Sequence, residues 1–75
     1  MVTQDMLDEL EIGSVEEFYD YIVDSRTNGQ HRQSHELFAM LSIDQKERFY
    51  VYVEANDLDR QEGQEQPFRQ YLERG

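Results

Sequence analysis

Two histidines four residues apart, His31 and His35, are the first residues in this chain whose types and spacing suggest chemistry. On a helix, side chains at i and i+4 share a face, so both imidazoles could reach one metal ion. A metal site needs a third and usually a fourth ligand. Glu36 follows His35 but projects about 100° around the helix. The glutamate that follows the first histidine of an H-E-x-x-H site is also missing. The pair is therefore expected to be solvated in the first turn of a helix, with no metal and no cofactor.

Asp57, Asp59 and Gly63 invite a calcium-loop reading. It fails in detail. An EF-hand loop beginning at Asp57 needs glycine at its sixth position and a bidentate glutamate at its twelfth, where this chain has Glu62 and Phe68. Cysteine is absent, which removes thiolate nucleophiles, thiolate metal sites and disulfides. Ser14 and Ser42 fit helix caps better than nucleophiles, and Ser25 and Ser34 lie in polar stretches. Gly13, Gly29, Gly63 and Gly75 are too scattered to cradle a phosphate. No carboxylate sits in an apolar stretch that would hold it protonated. A helical chain of 75 residues also has little room for a deep pocket. The expectation is a protein that is not an enzyme.

Charge is more informative. Seventeen acids face seven bases, a net of −10. Residues 1–24 contain Asp5, Asp8, Glu9, Glu11, Glu16, Glu17, Asp20 and Asp24, with no Lys or Arg. Phosphate affinity comes from clustered Lys and Arg, so direct binding to nucleic acid or to an anionic membrane is disfavoured. A basic protein surface is the favoured partner. Acidity also promotes solubility without any partner, and the acid excess with a bias of six Arg to one Lys also fits a salt-adapted or high-GC source.

The elements that must carry these residues are short. TQDMLDELEIG reads as a first helix capped by Thr3 and ending before Gly13. SVEEFYDYIVDSRTNG opens on the capping box Ser14-x-x-Glu17 and places Val15, Phe18, Tyr19 and Ile22 on one stripe, with Asn28-Gly29 as its stop. QHRQSHELFAMLS forms a third helix whose start falls between His31 and Ser34, with Leu37, Phe38 and Leu41 as its apolar positions. Residues 56–66 form a polar connection. PFRQYLERG closes the chain as a helix with Pro67 in its first position and Phe68, Tyr71 and Leu72 as its stripe.

The run Phe49-Tyr50-Val51-Tyr52-Val53 decides the fold class. Its residue types suit a strand. However, Ser42-x-x-Gln45 is again a capping box, and Ile43, Phe49, Tyr50 and Val53 share a face of about 120° on a helical wheel. The chain has no second strand-like run to satisfy a ladder, so a strand would survive only by pairing two copies. The spacing predicts an all-α bundle of four to five short helices, one domain over residues 1–75.

A core this small often gains stability by association. Tyr21, Val51 and Tyr52 look surplus to the core, which predicts a homodimer through those residues. Tyr52 could equally lie at the stripe's edge with its hydroxyl in water. No apolar run approaches the roughly 18 residues of a membrane span, and no signal peptide is evident, so a cytoplasmic protein is expected.

Glu17, Asp20 and Asp24 lie opposite the second helix's apolar stripe, spaced about 4.5 and 6 Å along its axis. Such a row resembles the charge spacing of a nucleic-acid backbone, and Asp5, Asp8, Glu9 and Glu11 could extend it. The leading expectation is a non-enzymatic inhibitor or regulator of a basic partner, with a nucleic-acid mimic of anti-restriction or anti-CRISPR type as its sharper form. The alternative is an assembly subunit acting through aromatic faces.

Overall fold

The computed structural model describes residues 1–59 and 66–74. Among them are five helices and no strand: α1 Gln4–Glu9, α2 Val15–Thr27, α3 His31–Ala39, α4 Ile43–Ala55 and α5 Phe68–Arg74. The Phe49–Val53 run lies inside α4, so the protein is a small all-α bundle. None of the described helices is long and apolar enough to cross a membrane.

Local chemistry sets the helix starts. Thr3 Oγ1 accepts from Met6 N at 3.3 Å, and Ser14 Oγ accepts from Glu17 N at 3.3 Å. The box expected at Ser14 is displaced by one residue, since the Glu17 carboxylate accepts from Gly13 N at 2.8 Å rather than from Ser14 N. At α4 the box is complete: Ser42 Oγ accepts from Gln45 N at 3.1 Å, and Gln45 Oε1 accepts from Ser42 N at 3.0 Å. The same amide also accepts from Val2 N at 3.0 Å and donates to Val2 O at 2.7 Å. One side chain therefore caps α4 and straps the N-terminal segment to it.

Helix ends follow the same logic. The chain leaves α2 through Gly29, whose φ of +77° is open to glycine without strain. α3 begins at His31, the earlier edge of the expected range. α5 begins at Phe68, with Pro67 just ahead of it rather than in its first turn. Asp59 Oδ1 accepts from Phe68 N at 3.0 Å and so satisfies a donor at the start of α5. That carboxylate is one of the two aspartates of the calcium-loop reading; Glu62 and Gly63 lie outside the described residues.

α2 packs against α3, while α4 meets α2 through long aromatic side chains rather than close backbone approach. Phe18, Ile22, Phe49, Val53 and Phe68 are fully buried. Phe49 is the hub. Its ring centroid lies 5.6 Å from Tyr19, 5.7 Å from Phe38 and 5.4 Å from Phe68, all in edge-to-face geometry. Such pairs contribute about 0.5–1.5 kcal/mol each beyond buried area. Ile43, expected on this face, is instead 83% exposed. Its wheel angle matches that of Tyr50, but it sits in the first turn of α4, roughly 9 Å of helix rise before Phe49, where nothing packs over it.

Candidate functional site

All eight acids of the N-terminal third are exposed. Backbone geometry divides them into groups. Glu17, Asp20 and Asp24 line a shallow hollow of ≈ 330 Å³ on the outer side of α2, beside Tyr21. Glu16 lines a second hollow of ≈ 250 Å³ between α2 and α4, with Tyr19, Val51 and Tyr52. Asp5, Asp8 and Glu9 belong to α1, and Glu11 follows it with φ +60°, a left-handed turn. The α1 acids line neither hollow.

Ion pairing sharpens the asymmetry. The ion pairs among the described residues are Arg32–Glu36, Asp44–Arg48, Glu47–Arg69 and Arg69–Glu73. All lie in α3 to α5, and none involves an acid of residues 1–24. Within the acidic third, carboxylates meet only neutral donors among the described residues. Asp8 accepts from Gln4 at 3.0 Å, Glu17 from Gly13 N, and Asp20 from the Tyr52 hydroxyl at 2.6 Å.

The three residues expected to be surplus are placed differently from one another. Tyr21 is 44% exposed at the acidic hollow, and Val51 is 65% exposed at the other. Tyr52 is half-buried, 5.5 Å from Tyr19 ring to ring, and its hydroxyl donates to Asp20. That hydrogen bond, reinforced by burial, pushes the Tyr52 phenol up to about 12. The structure thus divides these residues between two hollows and links Tyr52 to the acidic row.

The histidines are not simply solvated. α5 lies against α3, and Tyr71 reaches both rings. His31 Nδ1 is 2.7 Å from the Tyr71 hydroxyl, which is also 2.7 Å from Ser34 Oγ. His35 Nδ1 faces His31 O at 2.8 Å, and its Nε2 faces Tyr71 O at 3.2 Å. Ser25 and Ser34, expected in polar surroundings, are fully buried, and each hydroxyl is satisfied by a carbonyl of its own helix.

Arg26 escapes the sequence reading altogether. It is fully buried, with its guanidinium 4.5 Å from the Phe68 ring and 4.5 Å from the Tyr71 ring. Its Nη1 donates to Asp59 O at 3.5 Å and its Nη2 to Gln66 O, while Nε has no partner among the described residues. Burial lowers its pKa from the usual arginine value, against the opposing influence of Tyr71 and Asp59. A signal existed: Arg26 is four residues after Ile22, the next position on the α2 stripe. A cation on an apolar stripe points to a buried charge with aromatic partners.

No family model, curated protein or solved structure matches this chain.

Proposed function

We propose that this chain is a binding protein that docks on a basic protein surface through the exposed acids of α2, with α1 extending the contact. The observation that carries the reading is the separation of charge: the acids of residues 1–24 have no ion-pair partner among the described residues, whereas Glu36, Asp44, Glu47 and Glu73 of α3 to α5 are each paired with an arginine. An unpaired acidic face keeps its attraction for an external cation. The finer form is occupation of a groove that otherwise holds nucleic acid. It rests on an analogy of size and charge.

Glu17 holds the start of α2 and Asp20 holds Tyr52, so neither is a clean probe. Among the described residues, Asp5, Glu16 and Asp24 make no side-chain bond of that kind. The test is capture of a partner by the wild-type chain and by the Asp5→Lys, Glu16→Lys, Asp24→Lys variant. Each exposed pair is worth about 0.2–1 kcal/mol, so the triple reversal should weaken binding at least tenfold, and added salt should mimic it. A partner retained by the folded variant at high salt would sink the reading.

A second reading has its own observation. Ile43 and Val51 of α4 are both large, apolar and exposed. An assembly subunit using α4 would bind more tightly, not less, as salt rises.

A further inference from the structure

The hollow between α2 and α4 is built unlike the acidic one on the outer side of α2. Val15 and Tyr19 of α2 and Val51 and Tyr52 of α4 give it an apolar, aromatic lining. Glu16 lines it as well, and Asp20, one turn further along α2, holds the Tyr52 hydroxyl at 2.6 Å. Both carboxylates are exposed, and neither has an ion pair among the described residues. We propose that this hollow receives one arginine side chain of the partner, its alkyl stem against Val15, Val51 and Tyr52 and its guanidinium at Glu16 and Asp20. The anchor rests on the basic partner proposed above and gives that partner a point of attachment.

Charge favours a cation here. Arg48 also lines the hollow, but its Nε lies 3.0 Å from Asp44 Oδ2, one turn back on α4, and it forms no ion pair with Glu16 or Asp20. Asp44 thus offsets Arg48, and the two α2 carboxylates remain uncompensated. Asp20 and Glu16 both push the Tyr52 phenol upward, so their fields converge at the Tyr52 end of the hollow. Asp20 spends one oxygen on the Tyr52 hydroxyl, and a carboxylate has a second with which to accept.

Size and lining narrow the occupant. The hollow holds ≈ 250 Å³, less than one turn of helix, about 10 Å across and 5.4 Å long, would need. It suits a single long side chain. An apolar wall beneath a charged rim matches a side chain that buries its stem and keeps its charged head in water. Arginine fits better than lysine, because its planar fork can reach two carboxylates and stack on an aromatic ring. The molecule already seats its own arginines on tyrosine rings, Arg26 at 4.5 Å from Tyr71 and Arg69 at 4.1 Å from Tyr50.

The test titrates the full chain, labelled with nitrogen-15 and carbon-13, with n-propylguanidinium, which is the arginine side chain without its backbone. At neutral pH and low salt this probe should shift the resonances of Val15, Glu16, Val51 and Tyr52 saturably. Guanidinium itself, with no stem, should bind about fourfold more weakly for each methylene that the hollow buries. n-Butylammonium, the lysine counterpart, should also bind more weakly. Glu16→Gln should weaken n-propylguanidinium by up to about fivefold. Val51→Ser, at an exposed position, should narrow the gap between n-propylguanidinium and guanidinium, and Asp24→Asn in the other hollow should leave both unchanged. Shifts centred on Asp24 or spread evenly over the acids of α1 and α2, or equal affinity for the two guanidinium probes, would overturn the anchor and leave a basic partner standing. The basic partner fails separately, if a partner stays on the folded triple-lysine variant at high salt. Self-association that Val51→Ser abolishes, with no probe shift in the hollow, would give the hollow to a second copy and overturn the anchor as well. The comparison of stems needs no variant, so it holds even if a substitution unfolds the chain.

Discussion

At Tyr50 a core residue carries a group the core does not use. The side chain is buried, its ring lies under the Arg69 guanidinium at 4.1 Å, and its hydroxyl has no hydrogen-bond partner among the described residues. Burial, with the nearby Glu73 adding to it, pushes the phenol up to about 12. Its packing value comes from the ring, and the oxygen costs desolvation. Tyr50→Phe keeps the ring and the cation above it, so it should stabilise the fold by about 1 kcal/mol in a urea melt at pH 7. Alkaline behaviour gives a second arm. A phenol harder to ionise in the folded chain than in the unfolded one supports the fold below pH 10, and that support disappears as pH climbs through about 12. The variant should therefore resist alkaline unfolding better than the wild type. A loss of stability at pH 7 would show that the hydroxyl has a partner after all. Arg69 itself is no neutral control for charge experiments, because it bridges Glu47 and Glu73 while covering this ring.

At the scale of elements, the α4 start joins two distant parts of the chain through one amide. Gln45→Ala removes the reciprocal half of the cap and both bonds to Val2. Ser42→Ala removes only the cap oxygen, at about 1 kcal/mol. The first should cost more, about 2 kcal/mol, and should raise amide exchange at Leu7 as the N-terminal segment loosens. Equal costs for the two variants would mean the strap contributes nothing. The cap itself was legible in Ser42-x-x-Gln45 because it needs only four residues and a helix. The strap was not, because its partner is 43 residues away. Stripe positions Phe18, Tyr19 and Ile22 read correctly for the same local reason. Ile43 misled because a wheel records angle and discards height along the axis. Arg26 and the His31–Ser34–Tyr71 cluster depend on where α5 docks, which no local pattern encodes. The acidic face was legible as composition; that its acids have no ion pair among the described residues, while Glu36, Asp44, Glu47 and Glu73 do, required coordinates.

For the whole molecule, the acids of α1 and α2, which have no ion pair among the described residues, and the four ion pairs of α3 to α5 make an electrically polarised body. Approach to a basic surface should then depend on ionic strength in the association rate and scarcely at all in the dissociation rate. The same polarity acts between two copies of the chain. Tyr21 stands among Glu17, Asp20 and Asp24, so a dimer built through it must bring like charges together. Light scattering should show no such dimer at low salt and neutral pH, with association appearing only as salt screens the acids. A dimer at low salt that survives Tyr21→Ala would instead place the contact on α4, at Ile43 and Val51. Any stack, ring or crystal of this chain grown in dilute buffer should accordingly begin with its negative poles facing outward, so that the order in which molecules add is fixed before any two surfaces touch.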